Sequence, residues 1–367
     1  MNVMGSGEFA DPILLSYEAR LAEVERRLRD MEGERQEPRQ VPPRSRRDRT
    51  RFSTFAERYA LIGAWLVLIA AFGIISPKYF LSWISFSSMF SSNAVLVVLT
   101  LGLLVPLTAG DFDLSIASTL VLSSMTLTIL NALYHWPAPA AIAVAVGCGA
   151  FVGLINAFLV VYFRIHSLIV TLGTGTFLQG IVLWISKSET ISGLSPTLID
   201  FVIVKRIFGI SLSFYYALLL CVGMWVFLEY TTPGRRLLFV GRGRDVARLS
   251  GIRVDRVRAL ALLAASIIAA VAGIMYSGMT GSADPLSGLQ LLLPAFAGAF
   301  LGATSIIPGR FNPFGSMIGV YVLTTGILGL TILGIPSFVQ SLFYGGGLVL
   351  AVVLSQLVRR RQPQSFS

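Results

Sequence analysis

Long apolar stretches recur along the chain from Tyr59 onward, and most of them reach 18 residues or more. A run of that length with few charges crosses the hydrocarbon core of a bilayer as an α-helix. The pattern predicts an all-α integral membrane protein with a transmembrane region over 59–358. The ten predicted spans cover 59–76, 86–109, 113–133, 138–162, 167–186, 211–230, 258–280, 288–307, 313–333 and 337–358.

Residues 1–58 have a different pattern and form a predicted cytoplasmic N-terminal extension. Between residues 13 and 33, apolar residues alternate spacings of three and four, which is typical of a heptad seam. The seam is shorter than three heptads, so a short coiled coil and a solvated amphipathic helix both fit. A Pro- and Arg-rich linker over 36–51 follows and suits an anionic membrane surface. The seam consists of Leu14, Tyr17, Leu21, Val24, Leu28 and Met31, and the linker carries Arg44, Arg46, Arg47, Arg49 and Arg51.

Charge is distributed unevenly in a chain that is 54% hydrophobic and 13% charged. Most of the acidic residues precede Tyr59, and the arginines that follow are concentrated in alternate loops. The positive-inside rule then places the N-terminus and the tail over 359–367 in the cytoplasm. The net charge of +10 does not indicate nucleic-acid binding, because no binding motif accompanies the arginines.

The most basic part of the chain is the segment over 231–257, here called the inner segment, between the sixth and seventh predicted spans. Its sequence GRGRDVARLSGI predicts a short helix from Asp245 to Ser250 that ends at Gly251. A surface helix held between two spans suits docking of a partner protein, although an ordinary positive-inside loop would carry the same charge. On the other side, 187–211 contains a short apolar helix candidate over 198–208.

Two aspartates interrupt the apolar pattern in the sequence TAGDFDLSIAS, residues 108–118. Asp113 is expected to N-cap a helix that starts at Leu114, with a direct substrate contact as the alternative. Asp111 lacks capping geometry, so we expect it to face water, a substrate group or a basic partner. Acids at membrane depth also fit a secondary transporter or channel driven by an ion gradient, and this is one functional class that the sequence allows.

The sequence predicts no catalytic or metal-binding set. Cys148 and Cys221 lie in predicted spans, and His135 and His166 have no metal-ligating partner at a suitable spacing. No nucleophile or acid pair accompanies them. A transport protein is therefore favoured over an enzyme.

Four blocks of sequence resemble one known family. TAGDFDLSIAS resembles the Ser/Thr-x-Gly-Gly-Ile-Asp-Leu-Ser signature of permease subunits in ribose- and xylose-type ABC importers. The blocks occur in the order of that family and cover about 95–354. Asp111 stands where a glycine is usual, so the resemblance leaves the substrate open. The other three blocks are VTLGTGTFLQGIVLWIS, TTPGRRLLFVGRGRDVARLSGIRVDRVR and LLPAFAGAFLGATSIIPGRFNPFGSMIGV.

The resemblance implies a permease subunit in the bacterial cytoplasmic membrane that moves a monosaccharide or sugar-like solute inward. It also implies a second permease chain as a homodimer partner, cytoplasmic subunits that hold ATP and Mg²⁺, and a periplasmic or lipoprotein sugar-binding protein. None of the lysines lies in a Walker A frame, so we expect no nucleotide cofactor in this chain.

Two groups of candidate site residues follow. In the inner segment, Arg244 and Arg248 are expected to pair with acids of the ATPase subunit, and three glycines to let the backbone turn. Polar and aromatic residues on the spans are candidates for the translocation path or for the helix break. The coupling group is Gly241, Gly243, Arg244, Asp245, Arg248 and Gly251, and the path group is Asn93, Asp111, Phe112, Asp113, Ser115, Thr171, Thr174, Gln179, Trp184 and Phe296.

The ten predicted spans divide into two sets of five, and if the halves are related, the odd number makes the repeat inverted. TAGDFDLSIAS and GATSIIPGRFNPFGSMIG are the breaks expected to match. Glycines at helical spacing also predict close packing between spans, at Gly147, Gly149, Gly153, Gly298, Gly302, Gly315 and Gly319.

Overall fold

The computed structural model describes residues 20–27, 29, 51–336 and 338–361. The chain divides into two units, Met1–Thr50 and Arg51–Ser367. In the first unit residues 20–27 are helical, and Leu21 and Val24 of the predicted seam are exposed. The other residues of the seam lie outside the described residues, and so does the linker over 36–50. The coiled coil therefore stays a prediction.

The described part of the second unit consists almost entirely of α-helices, with two short two-stranded β-sheets. The pairs β1 with β4 and β2 with β3 are antiparallel. The elements are α1 (Arg51–Ile75), α2 (Pro77–Phe80), α3 (Trp83–Ser92), α4 (Ala94–Thr108), α5 (Ile116–Thr128), α6 (Ala138–Val161), α7 (Ser167–Ser186), β1 (Ile191–Ser192), α8 (Pro196–Ile199), β2 (Arg206–Ile207), β3 (Ile210–Ser211), α9 (Leu212–Tyr230), α10 (Thr232–Arg242), α11 (Arg244–Leu249), α12 (Val254–Thr280), β4 (Ser282–Ala283), α13 (Leu292–Gly302), α14 (Pro313–Ile332) and α15 (Phe338–Arg361), with π turns at Ile129–Leu133 and Asp200–Val204 and a 3₁₀ turn at Ser287–Leu291.

Among the described residues, seven helices are long and apolar enough to cross a membrane, and α3 with α4 forms an eighth candidate that is bent by 41°. The predicted eighth and tenth spans appear as the shorter apolar helices Ser287–Gly302 and Phe338–Leu350. The expectation of an all-α membrane protein is therefore confirmed. The count of ten spans stays a prediction.

Two local expectations change in the structure. The short helix of the inner segment is α11, one residue earlier than predicted, which is within the usual uncertainty of helix ends. The apolar helix expected over 198–208 ends earlier than predicted. Helix α8 continues into the π turn Asp200–Val204, and only the last residues instead form the hairpin of β2 and β3, whose pairing satisfies the backbone groups of Arg206 and Ile207.

Helix α4 forms the centre of the bundle, and all fifteen of its residues are buried. Its sequence AVLVVLTLGLLVPLT is apolar on every side, which is typical of a helix surrounded by other helices. The long helix α12 packs across α4, α5 and α6. The loops at both ends of α4 are therefore fixed by a well-packed core.

Most of the predicted packing glycines lie at close contacts between helices. A Cβ atom added at Gly149 would lie 2.8 Å from the Ser266 carbonyl oxygen of α12, and one at Gly319 would lie 2.7 Å from the Gly298 carbonyl oxygen. Gly147 is an exception, because nothing lies within 4 Å of an added Cβ. The prediction is wrong for Gly147, because this residue lies two positions from Gly149 on α6 and points away from α12.

The loops gather into two groups at opposite ends of the bundle. The first group, here called the arginine-rich end, comprises the loops 109–115, 162–166, 231–253 and 303–312. The ion pair of Arg244 with Asp111 joins two of these loops, and the loop 303–312 is held by a hydrogen bond from Ile306 N to Arg58 O (2.9 Å) of α1 and by the ion pair of Arg310 with Glu229 of α9. At the opposite end, β1 pairs with β4, and Ser195 N donates to Asn131 Oδ1 (2.9 Å). The candidate site lies at the arginine-rich end.

The two breaks expected to match across an inverted repeat lie at the same end of the bundle. The loop 109–115 contacts the inner segment through Arg244, and Arg310 in the second break pairs with Glu229 at the end of α9, next to that segment. Equivalent breaks of an inverted repeat lie at opposite ends. The proposed match between these two breaks is therefore wrong.

Candidate functional site

The loop 109–115 breaks the chain between α4 and α5, and side chains of α7 hold its backbone. Gly110 has a left-handed φ of 78°, which lets the chain turn directly after α4. Phe112 N donates to Ser167 Oγ (3.1 Å), and Leu114 N donates to Thr171 Oγ1 (2.9 Å). Irregular backbone inside a membrane protein needs such internal partners. Thr171, a predicted path residue, thus contributes to the structure of the break.

Asp111 lies at the centre of an ion-pair network formed with two arginines from the sequence over 231–258. Arg258 at the start of α12 binds both carboxylate oxygens, with Nε 2.7 Å from Oδ2 and Nη2 2.7 Å from Oδ1. Arg244 Nη2 donates to Asp111 Oδ1 (3.0 Å) and to the Gly110 carbonyl oxygen (2.9 Å). Asp111 is 2% exposed and the Arg258 side chain 12%. Of the three expected surroundings of Asp111, the structure has the basic partner.

The protonation of Asp111 follows from this network. Burial by itself raises the pKa of the Asp111 carboxyl, but the hydrogen bond and charge of Arg258, together with the charge of Arg244, outweigh it and hold the pKa below its ordinary value. Asp111 therefore stays ionised throughout the neutral pH range.

Asp113 stabilises the start of α5, but not as its N-cap. The helix begins at Ile116, two residues later than predicted, and the residue before it is Ser115. Asp113 Oδ1 accepts hydrogen bonds from Ser115 N (2.9 Å) and Ser115 Oγ (2.6 Å). An Asp side chain that accepts from the backbone two residues on forms an Asx turn, which delays the helix start. Asn156 of α6 then donates to Ser115 Oγ (2.8 Å).

We expect Asp113→Asn to retain most of the stability and transport of the wild-type protein. Asn keeps the acceptor oxygen of the turn, whereas Asp113→Leu leaves the buried Ser115 N–H without a partner at a cost of about 1–3 kcal/mol. Thermal unfolding of the purified protein and solute uptake measure the difference. An Asn variant as defective as the Leu variant would contradict this role for Asp113.

The inner segment is attached to the bundle by one apolar face. Ala247 of α11 is buried with Val240 and Val254, whereas Leu249 is 90% exposed. Arg248 pairs with Asp255 (3.1 Å) at the surface. Helix α11 therefore keeps one face exposed, while its first residue, Arg244, contacts Asp111.

The three glycines of the inner segment have different roles. Only Gly251 has a left-handed φ, at 78°. Gly243 is extended, a conformation that any residue adopts, so the structure does not support the predicted role for it. Gly241 lies within α10, where an added Cβ would overlap the carbonyl oxygen of Thr108. Its role is therefore close approach of α10 to the end of α4.

A cavity of about 250 Å³ opens beside the Asp111 network. Arg164 lies on its wall with a left-handed φ of 57°, and His166 Nδ1 accepts a hydrogen bond from Leu168 N (3.4 Å) at the start of α7. The cavity is polar and carries more positive than negative side chains. Its charged and polar lining residues are Asp111, Arg164, His166, Ser167, Arg244, Arg248, Asp255 and Arg258.

The structure brings only some of the predicted path residues together. The rings of Phe112 and Phe296 are stacked with centroids 6.3 Å apart, next to the loop that Thr171 holds. Asn93 lies at the bend between α3 and α4, where its Nδ2 donates to the Met89 carbonyl oxygen (2.9 Å). Within the described part of the chain, no hydrogen bond or ring contact joins Asn93, Thr174, Gln179 or Trp184 to the Asp111 loop.

Sequence reasoning missed Arg258 and Asn156 as site residues. Both residues could have been identified from the sequence. Arg258 lies at the start of a long apolar run and Asn156 within one, and a charged or amide side chain in such a place needs a polar partner. The apolar pattern places Arg258 at the boundary of a span, whereas α12 begins four residues earlier at Val254. Asn156 is fully buried in α6.

The fold and site define a multi-pass membrane protein in which a basic surface segment is joined by ion pairs to a break between two membrane helices. Residues 85–353 match the family model described as branched-chain amino acid transport system / permease component. The match covers most of the chain, and the chain belongs to this family.

Several curated proteins are similar to this chain over most of its length. The D-allose transport system permease protein AlsC of Escherichia coli (strain K12) is 29% identical over 84% of this chain and 94% of the relative. The autoinducer 2 import system permease protein LsrC of Yersinia enterocolitica is 32% identical over 79% of each chain. The autoinducer 2 import system permease protein LsrD of Photorhabdus laumondii is 30% identical over 80% of this chain and 90% of the relative. The predicted resemblance to sugar-type permeases is confirmed.

The comparison with solved structures finds no significant match. Family membership, bacterial relatives and the seven apolar helices of the described residues identify a multi-pass protein of the bacterial inner membrane.

Proposed function

We propose that the chain is the permease subunit of an ATP-binding cassette importer that moves a monosaccharide or sugar-like solute into the cytoplasm. The observation that carries the proposal is the similarity to permeases named for D-allose and autoinducer 2, which extends over the helix break and the inner segment.

The proposed assembly contains two copies of this chain, ATP-binding subunits at the arginine-rich end and a periplasmic or lipoprotein sugar-binding protein at the opposite end. The partner subunits bind ATP and Mg²⁺ and hydrolyse the ATP. The exposed face of α11, with Asp245, Val246 and Leu249, is the proposed contact for the ATP-binding subunit.

The proposed topology has ten spans with both termini in the cytoplasm, and 231–257 as the coupling loop. The arginine-rich end is the cytoplasmic end, in line with the positive-inside rule. The broken pair of α3 and α4 counts as one span, and the shorter apolar helices Ser287–Gly302 and Phe338–Leu350 count as two more.

An inverted repeat of five spans each is part of this proposal, with loop 281–287 as the equivalent of loop 109–115. Gly281 and Gly110 both have left-handed φ and each precedes an aspartate by three residues. Asp284 Oδ1 accepts from Leu286 N (2.9 Å), two residues on, as Asp113 does from Ser115 N. The two loops lie at opposite ends of the bundle, as an inverted repeat requires.

The proposed mechanism uses Arg244 to transmit motion. When the ATP-binding subunits close, they displace α11, and Arg244 pulls on Asp111 and the Gly110 carbonyl oxygen. The loop 109–115 between α4 and α5 then shifts. Because Phe112 belongs to this loop, its packing on the Phe296 ring changes. The ion pairs thus convert a movement at the surface into a movement between spans.

An ion-coupled transporter is less well supported than an importer. Asp111 is bound by two arginines, so it has little remaining capacity for a proton or a cation. Asp113 is fully buried, and its Oδ1 serves the Asx turn.

The importer proposal predicts what accompanies the chain and what drives uptake. We expect purification of the tagged full chain from native membranes in mild detergent to recover an ATP-binding subunit and a sugar-binding protein, identified by mass spectrometry. Uptake in cells should fail on ATP depletion. Recovery of the chain alone, with uptake abolished by an uncoupler but not by ATP depletion, would favour the ion-coupled alternative.

A further inference from the structure

A second, larger cavity of about 1060 Å³ lies between α9 and α12, away from the Asp111 network. Its walls are apolar, and its polar side chains are Arg236, Ser250, Arg253 and Arg256. The apolar wall includes Leu220, Met224 and Phe227 of α9 and Leu260, Leu263 and Ile267 of α12. A sugar needs polar groups around its circumference, so this lining does not suit the transported solute.

The three arginines of this cavity differ from those of the ion-pair network. Arg244, Arg248 and Arg258 each pair with an aspartate. Within the described residues, Arg236, Arg253 and Arg256 have no ion pair and no hydrogen bond from their side chains, and all three are exposed. Unpaired guanidinium groups beside an apolar wall are suited to bind a phosphate oxygen.

The dimensions of the cavity match one leaflet of a bilayer. The lining residues of α12 extend from Arg256 to Ile268, which is about 18 Å along a helix. Half of a hydrocarbon core is about 15 Å. All three arginines belong to the inner segment and so to one end of this wall, while Leu260 on the wall is 63% exposed in a protein that spans the membrane.

We propose that the cavity between α9 and α12 binds one anionic phospholipid, with its phosphate on Arg236, Arg253 and Arg256 and an acyl chain along the apolar wall. Basic residues beside membrane helices on the cytoplasmic side commonly hold anionic headgroups. Arg253 and Arg256 lie within two residues of Asp255 and Arg258 along the chain, so the bound lipid would stabilise the start of α12. The proposal requires only that the chain spans a membrane and is independent of the transported solute.

The test compares two matched pairs of variants of the full chain in detergent, with lipid binding measured by native mass spectrometry. The probes are phosphatidylglycerol and phosphatidylcholine with the same acyl chains. Arg253→Gln/Arg256→Gln removes two headgroup contacts, and Arg235→Gln/Arg242→Gln removes the same charge from arginines outside the cavity lining. Gly223→Leu places a side chain in the apolar part of the cavity, and Gly180→Leu, outside the cavity lining, is its control. At both glycines nothing lies within 4 Å of an added Cβ.

We expect phosphatidylglycerol to bind wild-type protein at least about tenfold more tightly than phosphatidylcholine, and the Arg253→Gln/Arg256→Gln variant to lose that preference. Gly223→Leu should weaken binding of both lipids, and both control variants should bind like wild type. Equal binding of the two lipids to wild type, or equal effects of the two arginine pairs, would overturn the proposal. Displacement of phosphatidylglycerol by millimolar inorganic phosphate, or unchanged binding by Gly223→Leu, would identify a free-anion site and also overturn it.

Discussion

Replacing Asp111 by asparagine is expected to lower the free energy of unfolding by about 3–5 kcal/mol and to abolish uptake. The change leaves the largely buried Arg258 without its two charged hydrogen bonds and removes the ion pair of Arg244, whose remaining contact with the loop is its hydrogen bond to the Gly110 carbonyl oxygen. Breaking one partner out of a buried pair is costly because the remaining charge stays in a poorly solvated site.

Asp255→Asn is the matched control for this prediction. Asp255 also pairs with an arginine of α11, but the side chains of Arg248 and Asp255 are 54% and 51% exposed. A pair of this kind contributes about 0–1 kcal/mol, because water solvates both charges. Thermal and denaturant unfolding of the two purified variants, with uptake in cells, gives the comparison.

A double variant separates the ion pair from the other effects of the substitution. Arg258→Gln added to Asp111→Asn removes both charges, so we expect the double variant to lose less than the sum of the two single losses. Strict additivity, or equal stability of Asp111→Asn and Asp255→Asn, would show that the network does not stabilise the helix break.

Adding one methyl group at Gly241 is expected to uncouple ATP hydrolysis from uptake. The Cβ atom of Gly241→Ala would overlap the Thr108 carbonyl oxygen, and backbone cannot rotate away as a side chain can. Helix α10 must then move off the end of α4, which carries Arg244, three residues later, away from Asp111. Overpacking of this type costs about 1–3 kcal/mol, and we expect uptake to fall about tenfold or more.

Gly243→Ala is the matched control, two residues along the same segment. Its backbone is extended, and an added Cβ would lie 3.7 Å from Val246, an ordinary contact distance. We expect this variant to transport like wild type. ATPase activity of the purified complex should persist in both variants, so uptake per ATP hydrolysed is the quantity to measure. Equal uptake by the two variants would remove the α10 contact with Thr108 from the mechanism.

The membrane helices illustrate what local sequence can predict. Apolar runs of about 20 residues specify spans because a buried helix satisfies its own backbone hydrogen bonds in lipid. The prediction lost accuracy where a helix is short or broken, as at Asn93 and over 287–302. At such places neighbouring helices, not the run of apolar residues, decide where a helix ends.

The candidate site shows the limit of that approach. The sequence singled out Asp111, Asp113 and the inner segment, because charges in or between apolar runs need an explanation. It did not connect them, since Arg244 and Arg258 lie 133 and 147 residues from Asp111 along the chain. It also treated Gly147 and Gly149 alike, although only Gly149 faces α12.

Composition and the spacings within single helices are enough to identify a helical membrane protein, to place most of its spans and to show which end is basic, and four sequence blocks show which family it resembles. Only the folded bundle shows that Asp111 binds Arg258 and Arg244, that Asp113 forms an Asx turn, and that three other arginines border an apolar cavity. Such contacts depend on which faces of distant helices pack together, and this is a property of the whole bundle.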